Sequence, residues 1–305
     1  MFGTIYKKVF LSFLLIISIS CVNDSHKPEP ETQQVSHAVS GRNENTNLNV
    51  SFLLDLSDRI NPEKYPNPSM EYYQRDAAYI TSVSEAFQSH LANKKINRIN
   101  EKIQVFFEPE PLNPDINSIS KNLQFALDKT NISKEVLHNV TARYRTEPLK
   151  IYELAIKDNH YVGSDTWSFF RNKVKDYSIE NGHRNILVIL TDGYMYHVDN
   201  LRTEGNKTTF LTPEYIRSVK LDSPEWATKF KNEEYGFIPA TENLNNLEIL
   251  VLGINPDRKN EYEGELIQKY WADWFEKMGV KRFEIKNAEL PANMEKIIQD
   301  FILNS

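Results

Sequence analysis

Residues 51–60 read SFLLDLSDRI. The apolar run begins at Val50 and stops abruptly at Asp55, giving way to Leu56, Ser57, Asp58 and Arg59. A run with no polar alternation fits a strand buried on both faces, as in a parallel sheet covered by helices on each side. Such a strand delivers its next residues to the carboxyl edge of the sheet, where open α/β sheets bind ligands. Here the delivery is two carboxylates, a hydroxyl and a guanidinium.

The same signature returns downstream. Residues 184–193, RNILVILTDG, give the most continuous apolar run of the body and end in Thr191-Asp192-Gly193. Further strands are expected at 102–109, 247–255 and 280–287. Between them run helical patterns. In 72–91, Tyr73, Ala77, Ile80, Val83, Phe87 and Leu91 recur at three- and four-residue spacing, with Ser69 as the expected cap. Helices are also expected at 115–128, 133–157, 164–182, 261–279 and 291–303. In 261–279, Trp271, Trp274 and Phe275 fall on one face and read as core. Residues 194–243 break the alternation with a hairpin pattern and two short helices, and read as an insertion. Strand–helix alternation implies an α/β fold: a doubly wound, mostly parallel, Rossmann-like sheet with helices on both faces, spanning residues 49–305.

Hard cations take oxygen ligands, about six at about 2.1 Å for Mg²⁺. Asp55 and Ser57 from one strand end, a hydroxyl from VGSDT at 162–166 and Asp192 from a second strand end could together form such a site. Each has a plainer reading as a turn former or a helix cap. At these residues the chain resembles the von Willebrand factor type A domain, whose metal-ion-dependent adhesion site uses Asp-x-Ser-x-Ser, a loop Thr and an Asp-Gly after a central strand. The resemblance implies Ser57 and Thr166 as direct ligands of Mg²⁺ or another divalent cation, with Asp55 and Asp192 acting through water. It also implies an open position for a carboxylate from a protein partner.

The chain departs from that pattern in three places. Arg59 stands where the second serine belongs, and a guanidinium cannot ligate a metal. It either swings to solvent and leaves a weakened metal site, or folds inward as the cation itself. About ten residues with three prolines, 60–69, separate the motif from its helix, and the edge strand expected after Phe107 is not visible.

The amino end places the domain in a cell. Lys7 and Lys8 precede the apolar stretch 9–19, too short to span a bilayer, and Ser18-Ile19-Ser20-Cys21 comes next. This resembles the lipobox of bacterial lipoproteins, with 1–20 as signal peptide and Cys21 as the lipidated residue. It implies a lipid-anchored protein of the bacterial cell envelope, in either membrane leaflet. Residues 21–48 are polar and read as a flexible tether. Cys21 is the only cysteine, so the body holds no disulfide.

Net charge is −6, with no Lys/Arg block, which argues against nucleic acid as a partner. There is no nucleophile elbow, P-loop or zinc-ligand spacing, and His197 reads as a surface residue of the insertion. The expected function is protein binding or adhesion, not catalysis. The alternatives are a metal-free structural component of an envelope or secretion assembly and, less favoured, a metal-dependent hydrolase.

Overall fold

Leu48, Val50, Phe52 and Leu54 face one side of strand β1 (Asn47–Leu54), and Leu53 faces the other. Both sides of the strand are covered. This computed structural model describes residues 46–304; the expected signal, Cys21 and the tether up to residue 45 lie outside the described residues, and Asn47 and Leu48, expected in the tether, begin β1.

β1 lies inside the sheet, with a strand on each side. It pairs in parallel with β2 (Asn100–Phe107) on one side and with β4 (His183–Leu190) on the other. β4 pairs in parallel with β8 (Leu247–Ile254), and β8 with β9 (Arg282–Asn287). β3 (Phe125–Asp128) closes the far edge antiparallel to β2, which gives the order β3-β2-β1-β4-β8-β9. The result is a mixed α/β fold on a six-stranded, mostly parallel sheet.

Helices cover both faces. The first face packs on α1 (Tyr72–Ala92), α3 (Lys134–Asp158) and α9 (Pro291–Leu303), through Tyr79, Val83, Tyr144, Tyr152, Ile298 and Phe301. The short α2 (Pro114–Asn122) adds Ile116. The opposite face packs on α4 (Thr166–Asn172), α5 (Val174–Ser178) and α8 (Glu263–Lys277). Trp271, Trp274 and Phe275 are fully buried there, as their spacing requires.

Residues 194–243 lie against this second face. They supply α6 (Pro213–Ser218), α7 (Trp226–Asn232) and a small sheet of β5 (Thr203–Glu204), β6 (Lys207–Thr208) and β7 (Gly236–Phe237). The Ile238 carbonyl accepts from both Trp167 Nε1 (2.7 Å) and Trp274 Nε1 (3.0 Å), which joins the segment to α4 and α8.

Four local expectations are corrected. The helix expected at 115–128 stops at Asn122, and residues 125–128 form the edge strand β3 that the sequence hid. Four residues with only Leu127 buried carry too little periodicity to announce a strand. The helix expected at 164–182 breaks at Lys173 into α4 and α5 and ends at Ser178. α1 is capped by Glu71, in a capping box with Gln74, not by Ser69. The hairpin strands are β5 and β6, while 194–201 contributes only single bridges, Met195 to Leu211 and Tyr196 to Ser164.

Candidate functional site at the carboxyl edge

The ladders that build the sheet continue one step past its strands. Asp55 N donates to Leu190 O (3.0 Å), Thr191 N to Leu252 O (3.1 Å) and Asn255 N to Asp192 O (2.9 Å). These bonds hold Asp55 and Asp192 side by side at the carboxyl edge, between the ends of β1, β4 and β8. The Asp55 carboxylate is fixed at both oxygens. Oδ1 accepts from Ser57 N (2.9 Å) and Oδ2 from the Thr191 hydroxyl (2.9 Å).

After Ser57 the chain makes one 3-10 turn, Asp58–Ile60. Ile60 is 1% exposed and packs into the first core, which draws the turn inward and carries Arg59 with it. Arg59 is 5% exposed. Its Nη2 donates to Asp76 Oδ2 (2.5 Å) and to the carbonyl of Leu190 (2.9 Å), and its Nε faces Asp55 Oδ2 at 3.5 Å. Asp76, on α1, also accepts from the Tyr152 hydroxyl of α3 (3.2 Å). One guanidinium therefore joins the ends of two strands to two helices.

The electrostatics follow from burial. Desolvation alone would loosen the guanidinium's proton, but Asp76 and Asp55 more than offset it, so Arg59 stays charged. Burial raises the Asp76 carboxyl, against the pull of Arg59. Asp192 is half-buried; desolvation first, then the neighbouring Asp55, push its carboxyl up to about 7, and Arg59 opposes them. Arg59 does not neutralise the whole group.

Of the hydroxyls expected to complete a metal site, that of Thr166 faces Ser164. Thr166 is the first residue of α4, buried, with its hydroxyl 3.5 Å from that of Ser164. The helix cap is Asp165, whose Oδ1 accepts from Ser168 N (3.0 Å). The loop carrying them is tied to the same edge by Asp165 N to Glu108 O (3.0 Å) and Ser164 N to Tyr196 O (2.8 Å). Ser57 contributes its backbone N–H to Asp55, and Asp192 Oδ1 accepts from Tyr194 N (3.0 Å). Among the described residues no three His, Cys, Asp or Glu side chains gather as metal ligands would. A divalent ion needs about six oxygens turned toward one point. The Asp55 oxygens are taken by Ser57 N, the Thr191 hydroxyl and Arg59, and Asp192 Oδ1 by Tyr194 N, so with the guanidinium already against Asp55 the set does not fit such an ion.

Asp55, Arg59 and Asp192 come together, and of the two alternatives for Arg59 it is the inward one that is seen. Asp76 and Tyr152 were missed. Asp76 had a signal: it falls on the apolar stripe of α1, three residues after Tyr73 and four before Ile80, where a carboxylate needs a partner. Of the two tyrosines that follow Asp192-Gly193, Tyr194 packs inward, donating to Glu263 and accepting from Asp257 N (2.8 Å), whereas Tyr196 is exposed. His197 is half-buried beside Asp165, with Nδ1 3.7 Å from Oδ2, and is less exposed than a surface residue of the insertion would be.

No family model matches the chain. No curated protein matches it either. Among solved structures it aligns with the pilus adhesin SpaC from Lactobacillus rhamnosus GG, at 9% identity and a TM-score of 0.41, over 84% of this chain and 30% of that one. The chain thus spans under a third of the adhesin, and a likeness this slight assigns neither family nor function.

Proposed function

We propose that this is a protein-binding module of the bacterial envelope: a doubly wound, von Willebrand A-like domain, anchored through a lipid on Cys21 and engaging its partner with the carboxyl-edge face. In this reading Arg59 is the resident cation, and binding needs no divalent ion. The observation that carries the binding role is where large apolar side chains are left in water. Among the described residues Tyr65, Leu112, Val162, Tyr196, Val198 and Leu201 are exposed in carboxyl-edge loops, against Ile96 and Tyr177 toward the opposite edge. Leu112 is 78% exposed and Val198 67%. Exposed apolar groups gathered on one face mark interaction surfaces, and loops at this edge are free to vary without disturbing the sheet.

Photo-cross-linking in intact cells tests it. A photoreactive residue at Tyr196 or Val198 should give protein adducts that persist in chelator, and one at Ile96, on the opposite edge, should give none. Adducts at Ile96 alone would refute the reading. Cys21→Ser should release the protein from membranes.

A metal-dependent version has one supporting observation, the acid surplus beside Asp192 that Arg59 leaves unbalanced. Calorimetric titration with Mg²⁺, Mn²⁺ and Ca²⁺ separates the two. The metal-free reading expects no saturable heat and no thermal shift at millimolar ion, and saturable binding would establish the other.

A further inference from the structure

The two edges of the sheet are finished differently. β3 closes one edge in four residues, and Asn131 takes up two of its backbone groups: Nδ2 donates to Ala126 O (2.8 Å) and Oδ1 accepts from Asp128 N (2.9 Å). β9 closes the other edge with six residues, and among the described residues no strand pairs with its outer side. An open edge is a template for another strand. Ala288 N donates to Ile254 O (2.9 Å), which continues the ladder to β8. Even-numbered positions of β9 therefore turn their N–H and C=O toward β8, and Phe283, Ile285 and Asn287 turn theirs outward. We propose that β9 pairs with β9 of a second copy of this chain, antiparallel about a twofold axis at Ile285, to make one sheet from the six strands of each copy.

Charge selects both the occupant and the register. Arg282, Glu284 and Lys286 lie on one face of β9, while Phe283 and Ile285 pack toward the second core on the other. Arg282 is already committed, to Glu248 and to the ring of Phe301 at 4.1 Å. Glu284 and Lys286 meet only each other, at 2.8 Å, and both are part-exposed. With Ile285 opposite itself, the Glu284 of each copy stands across from the Lys286 of the other. That gives two attractive pairs in the closer, non-hydrogen-bonded setting of an antiparallel ladder. Sliding two residues either way puts Glu284 against Glu284 or Lys286 against Lys286, and sliding one residue sends the faces to opposite sides. One register is therefore favoured. In it Ile285 exchanges bonds with its own copy and Phe283 with Asn287, about six bonds in all. A self-complementary patch of this kind is what a twofold dimer requires. Antiparallel pairing sends the two carboxyl edges to opposite ends of the joint sheet, so the dimer stands or falls separately from the binding role proposed for that face.

Sedimentation equilibrium of the full chain, in density-matched detergent, tests this and should show a dimer. Glu284→Lys and Lys286→Glu should each weaken the dimer by about tenfold or more, and the two together should restore it. Both side chains are part-exposed, so circular dichroism should report the same fold in all three variants. Ile285→Pro removes an outward N–H and leaves the ladder to β8 whole, and should give a folded monomer. Cross-linking reads the register. Directly opposed, hydrogen-bonded residues stand about 5.5 Å apart at Cα, within reach of a disulfide. Ile285→Cys should give a linked dimer on mild oxidation, above the background set by Cys21, and Ile96→Cys should not. A monomer throughout the micromolar range overturns the pairing. So does a dimer indifferent to both charge reversals, a double variant as weak as the single ones, or no link at position 285 above background.

Discussion

Arg59 carries a permanent charge at 5% exposure, held by Asp55 and Asp76. Buried ion pairs stabilise little relative to an apolar substitute, yet breaking one strands the remaining charge. Arg59→Met is therefore expected to destabilise the domain by about 3–5 kcal/mol. The double variant Arg59→Met with Asp76→Leu should recover part of that loss, and urea denaturation of the three proteins checks both. Asp192 tests the field from the other side. Its folded carboxyl sits near 7, above the roughly 3.9 of an unfolded aspartate, so the folded state binds the proton more tightly. Folding is favoured at low pH by this group, and that contribution is lost as pH rises from about 4 through 7. Asp192→Asn should therefore be more stable than the parent at about pH 8, by roughly 1–2 kcal/mol once partial exposure is allowed for, and equal to it near pH 4. At this scale the sequence was legible where chemistry coincided with a strand end. Asp55 directly follows an apolar run and Asp192 follows one after Thr191, which marks their edge. Asp76 showed only that it needs a partner, and Tyr152 showed nothing, because helix periodicity tells which face a residue occupies but not what it meets there.

Single elements show the same limit. β1, β4 and β8 were readable because burial on both faces leaves a continuous apolar run, and α9 was expected at 291–303 and found there. β3 and the α4–α5 break were not, because a half-exposed edge strand and a one-residue interruption leave no periodic trace. α3 contains Pro148 yet continues through it. The proline removes the bond to the Tyr144 carbonyl, and the Thr81 hydroxyl of α1 reaches that oxygen at 3.5 Å. Gly163 marks where the α3–α4 loop touches the insertion. Its φ is +91°, and a Cβ there would lie 2.3 Å from the Tyr196 carbonyl oxygen, which accepts from Ser164 N. Gly163→Ala should cost about 1–3 kcal/mol in backbone strain and displacement. Thermal melts would show the loss, and amide exchange should rise at Ser164 and Tyr196 while α1 stays protected. Trp274→Ala removes a fully buried indole and one of the two donors to Ile238 O; about 3–5 kcal/mol of stability should go with it, read by the same melts.

The whole molecule has a direction. Every strand of the sheet except β3 runs the same way, so the loops that carry Asp55, Arg59 and Asp192 gather at one end of it. The other end receives the chain at Asn47, where Lys94 bonds both Asn47 Oδ1 (2.7 Å) and the buried Glu101. Among the described residues no helix is long and apolar enough to cross a membrane. Attachment at the amino end and capture at the carboxyl edge would stretch β1 along its own axis. Its ladders to β2 and β4 would then slide against the load together, every hydrogen bond resisting at once, where a strand pulled sideways opens one bond at a time. Pulling single molecules between residue 46 and a handle in the 55–71 loop should give a higher rupture force than pulling across the sheet. Lys94→Met should lower it, because the strand's first residue loses its clamp. If the partner is fixed to another surface, the domain is a link in a chain under tension, and the central position of β1 sets how strong that link is.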